Sequence, residues 1–173
     1  MSVHGQRGRE EADTGFRIRV IDDFHAEPYA FLSNAYETAV LYEGLVFGSA
    51  EAAFQAQKCR TWEERGAFAD LSPARSRNRG RQVPLRADWE KVRLTVMEKI
   101  VMAKFSQHPD LAYRLLRTGE SLLVEGNDGD DGYWGVDRKT GEGDNHLGKI
   151  LMRVRKRMCE EMKEERAICG QES

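Results

Sequence analysis

Residues Ser49–Arg60 read SAEAAFQAQKCR. Ser49 can accept a hydrogen bond from the backbone that follows it, and Glu51 falls in the first turn. The stretch therefore opens as a helix with an N-cap and an acidic start. Along it, Glu51, Gln55 and Lys58 stand at i, i+4 and i+7. At about 100° per residue, Gln55 lies about 40° from Glu51 and Lys58 about 20° to the other side. The three make one narrow polar stripe, while Ala50, Ala53 and Ala56 fall on the other side, where small side chains permit close packing. Two readings fit. One is a solvated Glu–Lys face supported by helical spacing; the other is a carboxylate placed for acid–base work, with an amide and an amine to orient a substrate. Helix geometry leaves both open.

Working outward, AVLYEGLVFGS (39–49) holds two apolar runs around Glu43-Gly44 and predicts a hairpin leading into the helix. FRIRVID (16–22) alternates Phe16, Ile18 and Val20 with Arg17 and Arg19, the pattern of a half-buried strand. On the other side, residues 61–83 are interrupted by Gly66, Pro73 and Gly80 and predict short helices and turns. Trp89, Val92, Val96, Met97, Ile100, Val101 and Phe105 recur with helical spacing behind an Asp88 cap. A shorter helix follows from Pro109 to a stop at Gly119. SLLVEG and GYWGV predict short strands around the acidic turn NDGDD. A last helix starts near Asp144-Asn145, with Leu147, Ile150, Leu151, Val154 and Met158 on its apolar face.

The whole predicts an α+β, predominantly helical single domain over residues 16–160, with a flexible tail at 1–15 and a charged tail at 161–173. A chain of 173 residues can bury a sizeable core without staples. Its net charge of −2 supplies no global basic field for coating nucleic acid. Three scattered cysteines point to a reducing compartment, and the chain shows neither a secretory signal nor a membrane-length apolar run. A cytoplasmic location without membrane partners is expected. The four histidines (His4, His25, His108, His146) lack ligand spacing, and no metal site is expected.

Three other stretches combine chemistry-bearing residues. YWGVDRKTGEGDNHLGK (133–149) brings aromatics, acids and Asn145 to a helix N-terminus, a place where backbone N–H groups can seat an anion. Trp134 could stack on a flat base; the plainer reading is a strand, a loop and a cap. FLSNAY (31–36) is either a Ser-Asn turn or a donor of hydrogen bonds to a ligand. RSRNRGRQVPLR carries Arg75, Arg77, Arg79, Arg81 and Arg86, which suit phosphate but also an ordinary solvated surface.

Taken in order, FLSNAY, YEGLVFGSAEAAFQAQK, GRQVPLRADWEKVRLTVMEKIVMAKFSQHP, LLRTGESLLVEG and YWGVDRKTGEGDNHLGKILMRVR resemble the NADAR family, also called YbiA-like proteins. The resemblance spans roughly residues 29–157. It implies a compact, mainly helical α+β domain with a small antiparallel sheet or hairpin and no cofactor. It also implies an N-glycosidase activity, either on ribosylamino-pyrimidine phosphates of early riboflavin synthesis or on ADP-ribose attached to guanine. The implied partner is a small ribosylated or ADP-ribosylated molecule, with ADP-ribosylated nucleic acid as the alternative; a non-catalytic ADP-ribose-binding module is the competing class. Carried over residue by residue, it implies a pocket with Glu51, Lys58 and Asp137 as catalytic groups. Ser33, Asn34, Gln55, Arg81, Trp134 and Asn145 are the expected substrate contacts. One departure stands out: the family helix reads Glu-His-x-(Phe/Tyr)-Gln-Ala-x-Lys, and this chain has Ala52 at the His position.

Overall fold

The hairpin ahead of SAEAAFQAQKCR sets the fold in motion. In this computed structural model, which describes residues 18–129 and 131–169, β2 (Glu37–Tyr42) and β3 (Leu45–Ser49) pair antiparallel. Glu43 and Gly44 between them hold φ of 47° and 80°, the left-handed pair that a two-residue hairpin turn requires. β3 runs directly into α1 (Ala50–Ala56), and Ser49 Oγ accepts from the Ala52 backbone N–H. Every residue of α1 is buried, because the helix packs at once on the hairpin, on α3 (Pro73–Gly80) and on α4 (Trp89–Gln107). Its alanines let those backbones approach. The helix is shorter than its polar stripe suggested: it ends at Ala56, Gln57 caps it, and Lys58 follows in a turn. The exposed Trp62 opens a separate helix, α2 (Trp62–Gly66), whose Thr61–Glu64 capping box stops α1 from running on.

α4 carries the main core face. Trp89, Val96, Met97, Ile100, Val101 and Phe105 are buried as the periodicity predicts. The Asp88 cap differs from expectation: its carboxylate is taken by Arg86 at 2.6 and 3.0 Å and does not bond the helix backbone. α5 (Pro109–Arg117) begins on its proline and ends ahead of Gly119, whose φ is +56°. α6 (His146–Cys169) buries Leu147, Ile150, Leu151 and Val154 against α4, α5 and β4 (Leu122–Leu123).

Three expectations are corrected. The N-terminal strand pairs only over β1 (Val20–Ile21), parallel to β4, and it buries Ile21 while leaving Ile18 and Val20 exposed. The alternation had put Ile18 and Val20 inward; the short pairing with β4 aims the other register at the core. A second parallel pair, β5 (Gly126–Asn127) with β6 (Val136–Asp137), joins the segments expected as a simple strand-turn-strand. The small antiparallel hairpin is there as expected, but it is accompanied by these two parallel pairs. The residues expected as a tail from 161 continue α6 as far as Cys169. The tail expected at residues 1–15 lies outside the described residues.

Lys104 is the unforeseen member of the α4 core face. It is 1% exposed, and its Nζ donates to the carbonyls of Phe31 and Ser33 at 2.7 and 2.8 Å. Those carbonyls close the 3-10 turn Ala30–Leu32, so one amine pins FLSN to α4. The Glu51 N–H, donating to the Asn34 carbonyl at 2.9 Å, pins the same segment to α1. Burial lowers the Lys104 pKa to about 7.

Lys104→Met leaves the Phe31 carbonyl without its donor and the Ser33 carbonyl with the Tyr36 N–H alone, and a loss of about 1–3 kcal/mol is expected in urea unfolding. The folded chain resists protonating this lysine below its usual pKa, whereas the unfolded chain does not. Stability of the native sequence should therefore rise as pH goes from about 7 to about 9, and that rise should be smaller in Lys104→Met.

Candidate active site

Burial of α1 resolves the polar stripe. Glu51 and Gln55 are each 7% exposed, so they do not form a solvated face. A buried carboxylate needs partners, and Glu51 has two: its Oε1 accepts from Gln55 Nε2 at 3.0 Å and from Arg77 Nε at 3.2 Å. Arg77 comes from α3, which can approach because Gly80 has no side chain. A Cβ there would stand 1.9 Å from Gln55 Oε1 and 2.8 Å from its Cδ.

Beside this pair opens a cavity of about 420 Å3, within the size range of small-ligand sites. Lys58 enters it from the turn after α1. Its Nζ donates to the Gly80 carbonyl at 3.3 Å and stands 6.0 Å from the Trp89 ring centre. Burial lowers the Lys58 pKa, and the nearby Glu51 charge opposes that shift. One wall is aromatic: Phe54 lies between Trp89 and Trp134, with centroids 5.1 and 5.2 Å away, and Trp134 meets Tyr133 edge-on at 4.9 Å. Asp131 Oδ1 accepts from the Trp134 N–H at 3.0 Å and so orients that wall. Arg93 lies 3.8 Å over the Tyr133 ring.

Of the residues singled out from sequence, Ser33, Asn34, Glu51, Gln55, Lys58, Arg81 and Trp134 all line this cavity. Two do not. Asp137, expected as the second catalytic carboxylate, faces its own turn: its Oδ1 accepts from the Lys139 N–H at 2.8 Å, and its Oδ2 is turned towards Gly129. Asn145, expected as a substrate contact, is an internal brace with φ of 51°. Its Oδ1 accepts from the Glu125 N–H at 3.0 Å and its Nδ2 donates to the Leu123 carbonyl at 2.9 Å. The anion seat expected at the start of α6 is already filled by protein, since the N–H groups of Asn145, His146 and Leu147 donate to the carbonyls of Gly135, Tyr133 and Trp134. Ala52 is fully buried in the core and does not line the cavity, so the departure at the family's His position changes packing behind α1.

Sequence reasoning missed Glu125, Arg93, His25 and Asn127 on the cavity wall. His25 lacks ligand spacing in the sequence, and Glu125 looks like an ordinary strand end. The available signal was an acid directly after an apolar run, LLVEG, where a carboxylate is carried inward. Among the described residues, no group of three or more His, Cys, Asp or Glu side chains is placed to hold a metal, and no helix is long and apolar enough to cross a membrane.

A mainly helical α+β domain with buried acid, amide and amine groups around an aromatic-walled cavity defines a small-ligand site equipped for acid–base chemistry. The chain belongs to the NADAR family: the family model of the NADAR domain matches residues 23–159. Among its relatives, the N-glycosidase YbiA of Escherichia coli (strain K12) is 36% identical over 136 residues, covering 77% of this chain and 84% of the relative. An N-glycosidase of Nostoc punctiforme is 34% identical over 135 residues, covering 75% and 85%. A riboflavin biosynthesis protein of Vibrio vulnificus is 38% identical over 137 residues, which is 78% of this chain but 37% of that longer protein. The NMR structure of E. coli YbiA superposes with a TM-score of 0.76 at 34% identity, covering 84% of this chain and 88% of that one.

The Gly80 contact yields a separable prediction. Gly80→Ala should destabilise the fold by about 1–3 kcal/mol, since the added methyl overpacks the buried contact between α3 and Gln55. Ligand turnover should fall about 10-fold or more, because the displaced Gln55 no longer holds Glu51. Thermal unfolding and turnover measured on the same preparation check both halves.

Proposed function

We propose that this chain is an N-glycosidase that hydrolyses the C–N bond between a ribose and an amine-bearing pyrimidine, its substrate a ribosylamino-pyrimidine phosphate. The observation that carries the reading is the Glu51 carboxylate, buried yet held by Gln55 and Arg77 at the edge of an aromatic-walled cavity. Breaking a C–N glycosidic bond creates positive charge at the anomeric carbon and demands a proton for the leaving nitrogen. Two donors hold the Glu51 carboxyl group in place, and as a carboxylate it stabilises the developing charge and takes a proton from the attacking water. Trp134 and Trp89 offer faces for the base. Arg81, at the cavity, is a fork for the phosphate. The names of the YbiA and riboflavin biosynthesis relatives support the same substrate class.

Lys58 has two chemically distinct uses. As an ammonium it binds a sugar hydroxyl or the phosphate. Its lowered pKa favours a second use, in which the neutral amine adds to C1 of a ring-opened ribose as a Schiff base. Borohydride reduction during turnover, followed by mass spectrometry, separates them. A ribosyl adduct on Lys58 establishes the covalent route, and its absence under active turnover leaves the cationic role.

A second substrate reading has one observation behind it. Arg77 and Arg81, a helical turn apart, are exposed at the cavity. Such a pair can contact a polyanion backbone, which would suit ADP-ribosylated nucleic acid.

Glu51→Gln separates catalysis from binding. The glycosidase reading predicts a loss of about 10²–10⁴-fold in kcat with ligand affinity within a few-fold. Equal turnover by variant and native chain would refute the role given to Glu51, and a ligand bound but never cleaved by either would make this a binding module.

A further inference from the structure

Glu125 lines the cavity together with Glu51 and Asp131 and lies between β4 and β5. Its backbone is fixed from two sides: its N–H donates to Asn145 Oδ1 at 3.0 Å and its carbonyl accepts from the Val136 N–H at 2.8 Å. Gly135 lets the neighbouring chain close over it, since a Cβ there would stand 2.3 Å from the Glu125 carbonyl oxygen and 3.2 Å from its Cγ. The side chain is held in place but left without donors. It is 16% exposed, its Oε2 is buried with no hydrogen-bond partner, and the nearest basic atom to Oε1, His25 Nε2, is 3.8 Å away. A desolvated carboxyl without donors favours its neutral form.

The charged groups around it pull in both directions. Asp131 and Glu51 add negative charge and raise its pKa, whereas Arg138, Arg77 and, from α4, the buried Lys104 oppose them. His25, when protonated, opposes them too. Burial is the largest influence, and the pKa is pushed up to about 7. Glu51, in the same cavity, accepts hydrogen bonds from Gln55 and Arg77. Two carboxyl groups in contrasting surroundings are the arrangement by which one site supplies both an acid and a base.

We propose that Glu125, as the neutral acid on the cavity wall, is the catalytic proton donor to the leaving nitrogen. This role rests on the N-glycosidase reading. The carboxyl O–H bond of Glu125 breaks as the electron pair of the C1–N bond withdraws onto nitrogen, and the proton passes to that nitrogen to release a neutral amine. One water then adds its oxygen to C1 and gives its proton to Glu51. That proton returns through solvent to Glu125, so the cycle consumes one water and yields one sugar hydroxyl and one amine. The role holds whether C1 meets water directly or Lys58 first, because the leaving nitrogen needs a proton either way.

The test is base release from a ribosylamino-pyrimidine phosphate by the full chain across pH 5–9, about two units either side of the Glu125 pKa. For the native chain, kcat/KM should fall on the alkaline side with a midpoint near 7. Glu125→Gln should lower kcat about 100-fold or more, leave KM within about threefold, and abolish that alkaline fall. It should keep near-native rates on ribosyl-4-nitrophenol phosphate, whose leaving group departs without a proton. Asp131→Asn, which removes a neighbouring negative charge, should move the alkaline midpoint to lower pH. An unchanged kcat and alkaline fall in Glu125→Gln, or an unmoved midpoint in Asp131→Asn, overturns the assignment while leaving the glycosidase reading intact. No base release by the native chain overturns both.

Discussion

The Glu51 carboxylate is buried in the middle of the fold, and the surrounding structure is arranged around keeping it there. A carboxylate at this depth is costly unless donors reach it. Gln55 supplies one from the next turn of α1, and Arg77 supplies the other from α3. Arg77 reaches only because α3 lies directly on Gln55, and α3 lies there only because residue 80 is glycine. The same first turn of α1 holds FLSN through the Glu51 N–H, and Lys104 holds the far side of that segment. A single buried charge thus links α1, α3, α4 and the loop that completes the cavity.

The second half of the site is built by a different device. Glu125, Tyr133 and Trp134 lie on short segments with little hydrogen bonding of their own. Asn145 and the start of α6 brace them by spending that helix's free N–H groups on the carbonyls of Tyr133, Trp134 and Gly135. The acidic groups of the two halves differ in what surrounds them. Glu51 accepts from two donors, whereas Glu125 is buried with its Oε2 unpartnered and charges of both signs around it. That contrast underlies the proposed division of labour between a base and an acid in one cavity.

Much of this was legible in the residues. The Ser49 cap, the Glu43-Gly44 turn and the α4 core face follow from local rules about caps, left-handed backbone and helical period. A helical wheel shows which side chains share a face, but not what lies against that face. For this reason Glu51, Gln55 and Lys58 read equally well as solvated surface. Asp137 was misplaced because its loop carries several acids, and local backbone bonding decides which one turns inward. Lys104 and Glu125 were hidden by the opposite problem: each interrupts an apolar pattern, and a charged residue in such a pattern looks like a rim position until the carbonyls or the cavity it faces are known. The register of β1 depended on β4, about a hundred residues away, which no local pattern encodes.

The central claim is that this cavity cleaves a ribosyl C–N bond, and the most direct measurement follows both halves of that bond. The full chain is incubated with a ribosylamino-pyrimidine phosphate, and the pyrimidine amine and the ribose phosphate are quantified together by mass spectrometry. The account predicts their release in equal amounts, faster than spontaneous decay. Substrate that binds the cavity and is recovered whole, or breakdown at the spontaneous rate, would contradict it.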